Sequence, residues 1–330
     1  MSEIETTLAR IYDRTGPPKR AAFGAVVARG SQALADEAPD IRPPAAAGYP
    51  GGAVRLDANL PTIVVPDLHA RMELILGLLD YRGPSTADQR VVALLDAGQL
   101  QVVMVGDGPH AEARAVRRWH RALAEFQQGY LTHEAMDDEM RESFGAIEMV
   151  MELKCAYPGH FHFLKGNHDN IANEEGNGNL PFGKFVAEGQ LVEAYVRWFY
   201  GPELLQAYAT LEKQLPLLAI GGRFLVSHAE PSSAFPLDDI IEYRSHPEVT
   251  LGLTWTANDE ADPTAVAVML RDIVGSEGAL YFGGHRPVAG RWQERAEGRF
   301  IQLHNPDRLQ AAYVPHHRPF DPTRDMLELG

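Results

Sequence analysis

The sequence predicts an α/β fold with one polar site at the edge of an open sheet. Five short apolar runs, each typical of a buried strand, end in polar residues, and segments with helical periodicity lie between them. An Asp, Asn or His follows each run, and open α/β sheets bind their ligands beyond the carboxyl ends of their strands. One such strand end carries little information, but five in one chain indicate a convergent site.

The N-terminal segment is predicted to be helical and to precede the sheet domain. Over residues 1–36 the apolar residues recur at helical spacing, with an interruption at Gly16-Pro17-Pro18. Residues 37–53 are rich in Pro, Ala and Gly and indicate an irregular connector. We therefore expect residues 1–55 to form a helical extension with its connector, and residues 56–330 to form a single domain.

The predicted elements of that domain follow in chain order. The strand-like runs that end in polar residues are 60–66, 100–105, 161–164, 224–226 and 280–282. Gly221-Gly222 separates the fourth of these from another apolar run and predicts a hairpin. Helical periodicity covers 71–80, 111–128, 131–154 and 185–213. We expect the helical block at 111–154 to stand partly outside the sheet core, as a candidate insertion.

Charge and cysteine content exclude several classes of protein. There are 30 Lys and Arg residues against 45 Asp and Glu residues, a formal net charge of −15, so the chain lacks the basic excess that binds DNA or RNA. The one cysteine, Cys155, allows neither an intrachain disulfide nor a cysteine-based zinc motif. No stretch approaches the roughly 18 apolar residues of a membrane span. We expect a cytoplasmic protein with neither nucleic acid nor membrane as partner.

The polar residues at the strand ends are of the types that bind metal ions. Six of them are oxygen or nitrogen donors: Asp67, His69, Asp107, Asn167, His228 and His285. Such a set without thiolates suits Mn, Fe, Zn or Co. Two ions held about 3.5–4 Å apart can polarise a phosphate and generate a hydroxide nucleophile. His168 beside Asn167, with Asp169 next to it, suits a general acid oriented by a carboxylate.

The motifs Asp-Leu-His, Gly-Asp, Gly-Asn-His-Asp, Ser-His and Gly-His, in this order, resemble the signature of calcineurin-like metallophosphoesterases. The residues before Asn167 and before His228 resemble those of phosphoprotein phosphatases. The sequence from Gly284 to Val288 resembles an ending shared with bacterial diadenosine tetraphosphatases. The resemblance covers roughly residues 60–290. It implies a four-layer α/β/β/α sandwich with two mixed sheets and the site at the strand ends.

The resemblance also implies roles for the site residues. Asp67 and His69 would hold the first ion, Asp107 would bridge, and the second ion would be held by Asn167, His228 and His285. His168 would protonate the leaving oxygen, with Asp169 as its partner. The cofactors implied are two divalent or trivalent ions, Mn first, with Fe, Zn, Co or Ni as alternatives. Many relatives have a second histidine where this chain has Pro287, so we expect the first ion to exchange more readily.

One departure from the family concerns the substrate. Ala111 stands where phosphoprotein phosphatases have the arginine that clamps the phosphate, so protein-phosphatase activity cannot be assumed. The candidates to replace this clamp are Arg114, Arg71 and Arg286, because a guanidinium fork matches two phosphate oxygens. His110 is a further candidate for substrate contact. His304, His316 and His317 lie outside the motifs, and we expect them to be structural or surface residues.

The predicted function is that of a dimetal phosphoesterase. It would hydrolyse phosphomonoesters through a metal-bound hydroxide, with His168 as general acid, and its substrate would be a phosphorylated small molecule or a phosphoprotein. Two alternatives remain: a hydrolase of nucleoside polyphosphates of the dinucleoside tetraphosphate type, and a metal-binding scaffold without turnover. A phosphomonoester tested against a dinucleoside polyphosphate separates the two enzymes, and an assay with added Mn tests the scaffold.

Overall fold

The computed structural model describes residues 2–83 and 88–330, in which two mixed β-sheets lie between helices. The strands are β1 (Ala53–Arg55), β2 (Thr62–Val65), β3 (Gln101–Met104), β4 (Phe161–Phe163), β5 (Leu218–Ile220), β6 (Phe224–Ser227), β7 (Leu280–Gly283), β8 (Gln293–Arg295), β9 (Phe300–Gln302), β10 (Gln310–Val314) and β11 (Met326–Glu328). The helices are α1 (Glu3–Tyr12), α2 (Arg20–Ala35), α3 (Met72–Asp80), α4 (Val91–Asp96), α5 (Val116–Gln127), α6 (Glu134–Ala156), α7 (Glu188–Phe199), α8 (Pro202–Glu212), α9 (Leu237–Ile241), α10 (Pro247–Thr254), α11 (Ala265–Met269) and α12 (Pro322–Asp325).

Each sheet has parallel strands at its centre. The five-stranded sheet has the order β11-β10-β2-β3-β4, and β2, β3 and β4 run parallel in it. The six-stranded sheet has the order β1-β5-β6-β7-β9-β8, and β6, β7 and β9 run parallel. All five strand-like runs that end in polar residues therefore contain parallel strands, whose carboxyl ends lie at one edge of their sheet, although β4 is the last strand of the five-stranded sheet.

Apolar side chains divide the molecule into four layers. In β2, Ile63 and Val65 belong to the core between the sheet and the helices, whereas Val64 belongs to a core that also contains Val226 and Phe282 of the other sheet. A third core lies between the six-stranded sheet and helices α9, α10 and α11. Because both faces of each sheet are covered, the strands appear in the sequence as continuous apolar runs. The predicted α/β/β/α sandwich is confirmed.

The N-terminal helices are part of the helical layer rather than an extension laid on it. A capping box of Ser2 and Glu5 begins α1, and both α1 and α2 pack against α6. Phe23 of α2 is fully buried and stacks on Phe144 of α6 with ring centroids 4.0 Å apart. Residues 37–53 were expected to form an irregular connector, but this segment ends in a strand. That strand, β1, pairs with β5 at the edge of the six-stranded sheet.

Within the helical block at 111–154, α6 is not peripheral to the core, whereas α5 buries only Trp119 and Ala122. Helix α6 packs against α1, α2, α3, α5 and β4, and 15 of its 23 residues are buried. A helix with so many buried residues is covered on more than one face. In the part of the chain that the structure describes, no helix is both long and apolar enough to cross a bilayer.

Candidate metal centre

The two sheets bring their polar strand ends together. The predicted ligands Asp67, His69, Asp107 and Asn167 follow strands of the five-stranded sheet, and His228 and His285 follow strands of the six-stranded sheet. The backbone N–H of His285 donates to both carboxylate oxygens of Asp67, at 3.1 and 2.9 Å, and so joins the two sheets. All six predicted ligands lie in one cluster.

Three of the predicted ligands face one another closely. His228 Nε2 lies 2.9 Å from Asn167 Oδ1, His285 Nδ1 lies 3.0 Å from the same oxygen, and the two ring nitrogens are 3.2 Å apart. His228 Nδ1 donates to the carbonyl of Val105 at 3.1 Å, which directs the lone pair of Nε2 into the cluster. Such spacing and a fixed tautomer are typical of ligands that share one ion.

A second group of ligands adjoins the first through Asp107. His69 Nε2 lies 3.9 Å from Asp67 Oδ2 and 3.5 Å from Asp107 Oδ2, and its Nδ1 donates to the carbonyl of His110 at 3.0 Å. Asp107 Oδ2 also lies 3.4 Å from His228 Nε2. One carboxylate oxygen is therefore within reach of both groups, which is the geometry expected of a bridging ligand.

The charges of the cluster suit a bound cation. Burial raises the pKa of Asp67, and burial together with the neighbouring charge of Asp67 raises that of Asp107. Burial also lowers the pKa of His69 and that of His285 to about 3, so both imidazoles are neutral at pH 7. Paired buried carboxylates need compensating positive charge, and neutral imidazoles have lone pairs to donate. The donor set thus fits divalent metal ions.

The backbone around the cluster is strained. His69, Asp107 and His285 have positive φ angles of 43°, 51° and 63°. Residues without a glycine's freedom adopt such angles at a cost, and they concentrate at functional sites. Close packing adds to this at Gly284, where a Cβ atom would stand 1.8 Å from Asp67 Oδ1. Three of the six predicted ligands are therefore held in conformations that the surrounding structure must impose.

The structure separates the predicted pair His168 and Asp169. The His168 ring lies over the cluster, with its centroid 5.1 Å from the His69 ring and 4.8 Å from the Phe182 ring. Asp169 instead accepts hydrogen bonds from the backbone N–H groups of Asp107 at 2.9 Å, Gly108 at 3.2 Å and Gly166 at 2.7 Å. The expected orientation of His168 by Asp169 is thus corrected, because the tight loops at these strand ends present backbone donors that the buried carboxylate satisfies.

The candidate arginines differ in their availability. The buried Arg71 donates to five backbone carbonyls, those of Asp67, Leu68, Asn305, Pro306 and Arg308, so its guanidinium fixes the chain near 305–308 and cannot clamp a phosphate. Arg114 donates to Glu142 at 2.6 Å and to the His69 carbonyl at 3.2 Å, and it stays partly exposed beside the cluster. Arg286 is exposed and follows His285 directly.

Two further residues, His304 and Glu112, lie near the cluster outside the set of predicted ligands. His304, expected to be structural or at the surface, is buried with Nδ1 3.7 Å from Asp67 Oδ2. Glu112 Oε2 lies 3.0 Å from His304 Nε2. The signal for His304 was a sixth apolar run, Phe300–Gln302, that ends in polar residues. His110 is buried and its ring lies 4.5 Å from that of Phe182, while His316 and His317 are exposed as expected.

A solved structure with a similar fold is a phosphatase. A protein serine/threonine phosphatase from Saccharomyces cerevisiae, described as similar to human phosphatase PP5, is 13% identical over 94% of this chain and 89% of that chain, with a TM-score of 0.55. A cold-active protein tyrosine phosphatase is 12% identical over 83% and 80% (TM-score 0.44), and one from a psychrophilic Shewanella species is 11% identical over 84% and 82% (TM-score 0.40). No protein-family model and no curated protein matches the chain. The chain therefore has the fold of a protein serine/threonine phosphatase.

Proposed function

We propose that this protein is a metal-dependent phosphatase that hydrolyses phosphomonoesters. The observation that carries the proposal is the convergence of six oxygen and nitrogen donors from both sheets, with the donor atoms of Asn167, His228 and His285 within 3.2 Å of one another. Phosphoryl transfer to water requires concentrated positive charge and an activated nucleophile. A largely buried set of uncharged imidazoles and carboxylates at the strand ends supports that chemistry.

Residues of this chain would divide the tasks as follows. Asp67, His69 and Asp107 would hold one ion, and Asp107, Asn167, His228 and His285 would hold the other. Two bound divalent ions would supply positive charge to the phosphate oxygens and lower the pKa of the attacking water. His168, which would be the general acid, donates its backbone N–H to Asp107 Oδ1 at 2.8 Å. This hydrogen bond holds the loop that carries His168 against the carboxylate that would bridge the ions.

His168 is the residue we assign to leaving-group protonation. Its ring lies between His69 and Phe182, and burial, followed by the nearby His69, lowers its pKa well below the usual value. A phosphate dianion bound beside the ring would raise that pKa again, since a neighbouring negative charge favours the charged imidazolium. His168 would then take up a proton with the substrate and deliver it to the departing alkoxide oxygen.

The phosphate oxygens that face away from the cluster need a cation from the protein. Arg286 adjoins His285 and makes no ion pair with any residue that the structure describes. Arg114 is partly exposed and bonded to the His69 carbonyl, with one guanidinium nitrogen on Glu142. We assign the phosphate clamp to Arg286, because its guanidinium N–H groups are not used in an ion pair with any described residue. Arg114 is the competing candidate.

The test is a hydrolysis assay on protein reconstituted with Mn²⁺. It would compare an aryl phosphomonoester, an aryl phosphodiester, a phosphopeptide and a dinucleoside tetraphosphate, with Asp107→Asn as the control for contaminating phosphatases. We expect the reconstituted protein to hydrolyse the phosphomonoester. A chelator should abolish this turnover, and the Asp107→Asn control should not show it. Preferential cleavage of the dinucleoside tetraphosphate would identify the alternative hydrolase instead. Bound metal without turnover on any of these substrates would identify a scaffold.

A further inference from the structure

We propose that His304 is a ligand of the first ion through Nδ1, and that Glu112 holds its other ring nitrogen. This inference rests on the proposed function, because the ion concerned belongs to that site. It replaces the expectation that the first ion exchanges more readily. Pro287 stands where many metallophosphoesterases have a second histidine, and His304 would supply a nitrogen from a different strand.

The position of His304 follows from sheet topology. Strand β9 runs parallel to β7, so its carboxyl end meets the same edge at which His285 stands. Two backbone hydrogen bonds fix this end: Leu303 N donates to the Gly283 carbonyl at 2.9 Å, and Val288 N donates to the His304 carbonyl at 2.8 Å. His304 therefore lies at the cluster for the same reason as the predicted ligands, because it follows the carboxyl end of a parallel strand.

The ring of His304 is arranged like that of a ligand. It is fully buried, its Nδ1 lies 3.7 Å from Asp67 Oδ2, and its centroid lies 5.4 Å from that of His69. Among the described residues this Nδ1 has no hydrogen-bond partner. Ligands at about 2.0–2.2 Å from one ion stand roughly 3–4 Å apart. One donor atom each from Asp67, His69 and His304 lie within 4.8 Å of one another.

The contact with Glu112 explains why Nδ1 of His304 would have a lone pair available for the first ion. Glu112 Oε2 lies 3.0 Å from His304 Nε2 and can accept its proton, which leaves the lone pair on Nδ1 directed at Asp67. Metal-binding histidines usually donate their second ring N–H to a carboxylate or carbonyl in this way. The other oxygen of Glu112 lies 3.2 Å from Lys184 Nζ and 3.6 Å from His69 Nε2, so the carboxylate is itself held in place beside the cluster. Glu112 would be a positioning residue.

The experiment counts and titrates Mn²⁺ on wild type, His304→Gln, Glu112→Gln and, as control, His317→Gln, which alters an exposed histidine. We expect two ions on wild type and on the control. His304→Gln should weaken one of the two sites at least tenfold, and Glu112→Gln should weaken the same site by about 10–100-fold, the usual cost of losing the partner of a ligand. Circular dichroism and thermal melting in excess chelator establish that each variant is folded.

The outcomes separate this inference from the proposed function. Wild type that binds no metal would overturn both. Wild type with two ions, together with unchanged affinities in both His304→Gln and Glu112→Gln, would overturn only the ligand role of His304. If His304→Gln does not fold, the titration of Glu112→Gln decides, because Glu112 is partly exposed and its amide analogue keeps the shape of the side chain.

Discussion

Asp107 is the residue on which both groups of ligands depend, since one of its oxygens lies 3.5 Å from His69 Nε2 and 3.4 Å from His228 Nε2. Asp107→Ala should therefore lose both ions, whereas His69→Ala should lose only the first. The metal content of the two variants after dialysis, measured beside wild type, checks this. Two ions retained by Asp107→Ala would contradict the bridging role.

His168 should matter for chemistry and not for metal binding, because its ring is not among the converging donor atoms. We expect His168→Asn to keep its metal content and to lose turnover by about 10²–10⁴-fold, the usual contribution of a positioned acid. The loss should be smallest for aryl phosphates, whose leaving groups need least protonation. Comparison of an aryl with an alkyl phosphate measures this difference, and an equal loss on both would indicate positioning instead.

The choice between the two arginines is open to a direct comparison. Arg286→Ala should lower kcat/KM for a phosphomonoester by about 10–100-fold, equivalent to one hydrogen bond to a charged group, with metal binding unchanged. The control is Arg271→Ala, which removes an exposed arginine that pairs only with its neighbour Asp272 among the described residues. A loss confined to Arg114→Ala would move the clamp to Arg114, and no loss in either variant would exclude both.

For individual residues, the sequence identifies the side chains of a short motif. It shows little of what each side chain contacts. The predicted ligands were found because each belongs to a short polar motif that begins where an apolar run ends. The roles of Asp169 and Arg71 were mistaken because their partners are backbone groups of other loops, which spacing does not reveal. His304 was missed because no familiar motif follows its strand.

Elements were predictable where strand, polar end and helix follow in regular order. β8, β9 and β11 have three residues each, too few for a periodicity to appear, and no family motif follows them, whereas one follows the equally short β4. The predicted helix at 185–213 is divided, because Gly201 has a φ of 83° between α7 and α8. Burial of α6 depends on which helices cover it, and that is settled by tertiary packing.

The segment after α2 is held to α6 and β4 by one buried carboxylate. Glu37 lies 2.6 Å from Lys154 Nζ, 2.9 Å from Arg42 and 3.5 Å from His162. Burial opposes ionisation, but these three partners lower the pKa of Glu37 from 4.5 to about 2. The unfolded chain takes up the proton near pH 4.5 and the folded chain near pH 2. The stabilisation is therefore complete above about pH 5 and is lost as the pH falls from 4.5 to 2.

Linkage gives this carboxylate a contribution of about 3 kcal/mol to the free energy of unfolding at neutral pH. Urea unfolding of wild type and Glu37→Gln at pH 7 and pH 3 measures it. We expect the difference between the two proteins to shrink at pH 3. Glu277→Gln, at an exposed position, should match wild type at both values. A difference that stays constant with pH would mean that the Glu37 charge contributes nothing.

At the scale of the whole molecule, the residues of the site also connect the two sheets. Asp67, Asp107 and Asn167 come from the five-stranded sheet, and His228 and His285 come from the six-stranded sheet. The backbone pair of His285 with Asp67 and the apolar layer around Val64 and Phe282 also hold the sheets together. Ions bound by ligands from both sheets would add to this contact only in the folded state.

Metal should therefore stabilise the protein against heat. An ion at 100 times its Kd adds about 2.7 kcal/mol, which for a chain of this length raises Tm by about 4 °C per site. Thermal melting in chelator and in increasing Mn²⁺ measures the shift, which should grow with the logarithm of the metal concentration. Asp107→Ala should abolish most of it, because both sites lose a ligand, while Asp259→Ala, at an exposed carboxylate, should keep all of it. An equal shift in the two variants would place the stabilising ions outside the cluster.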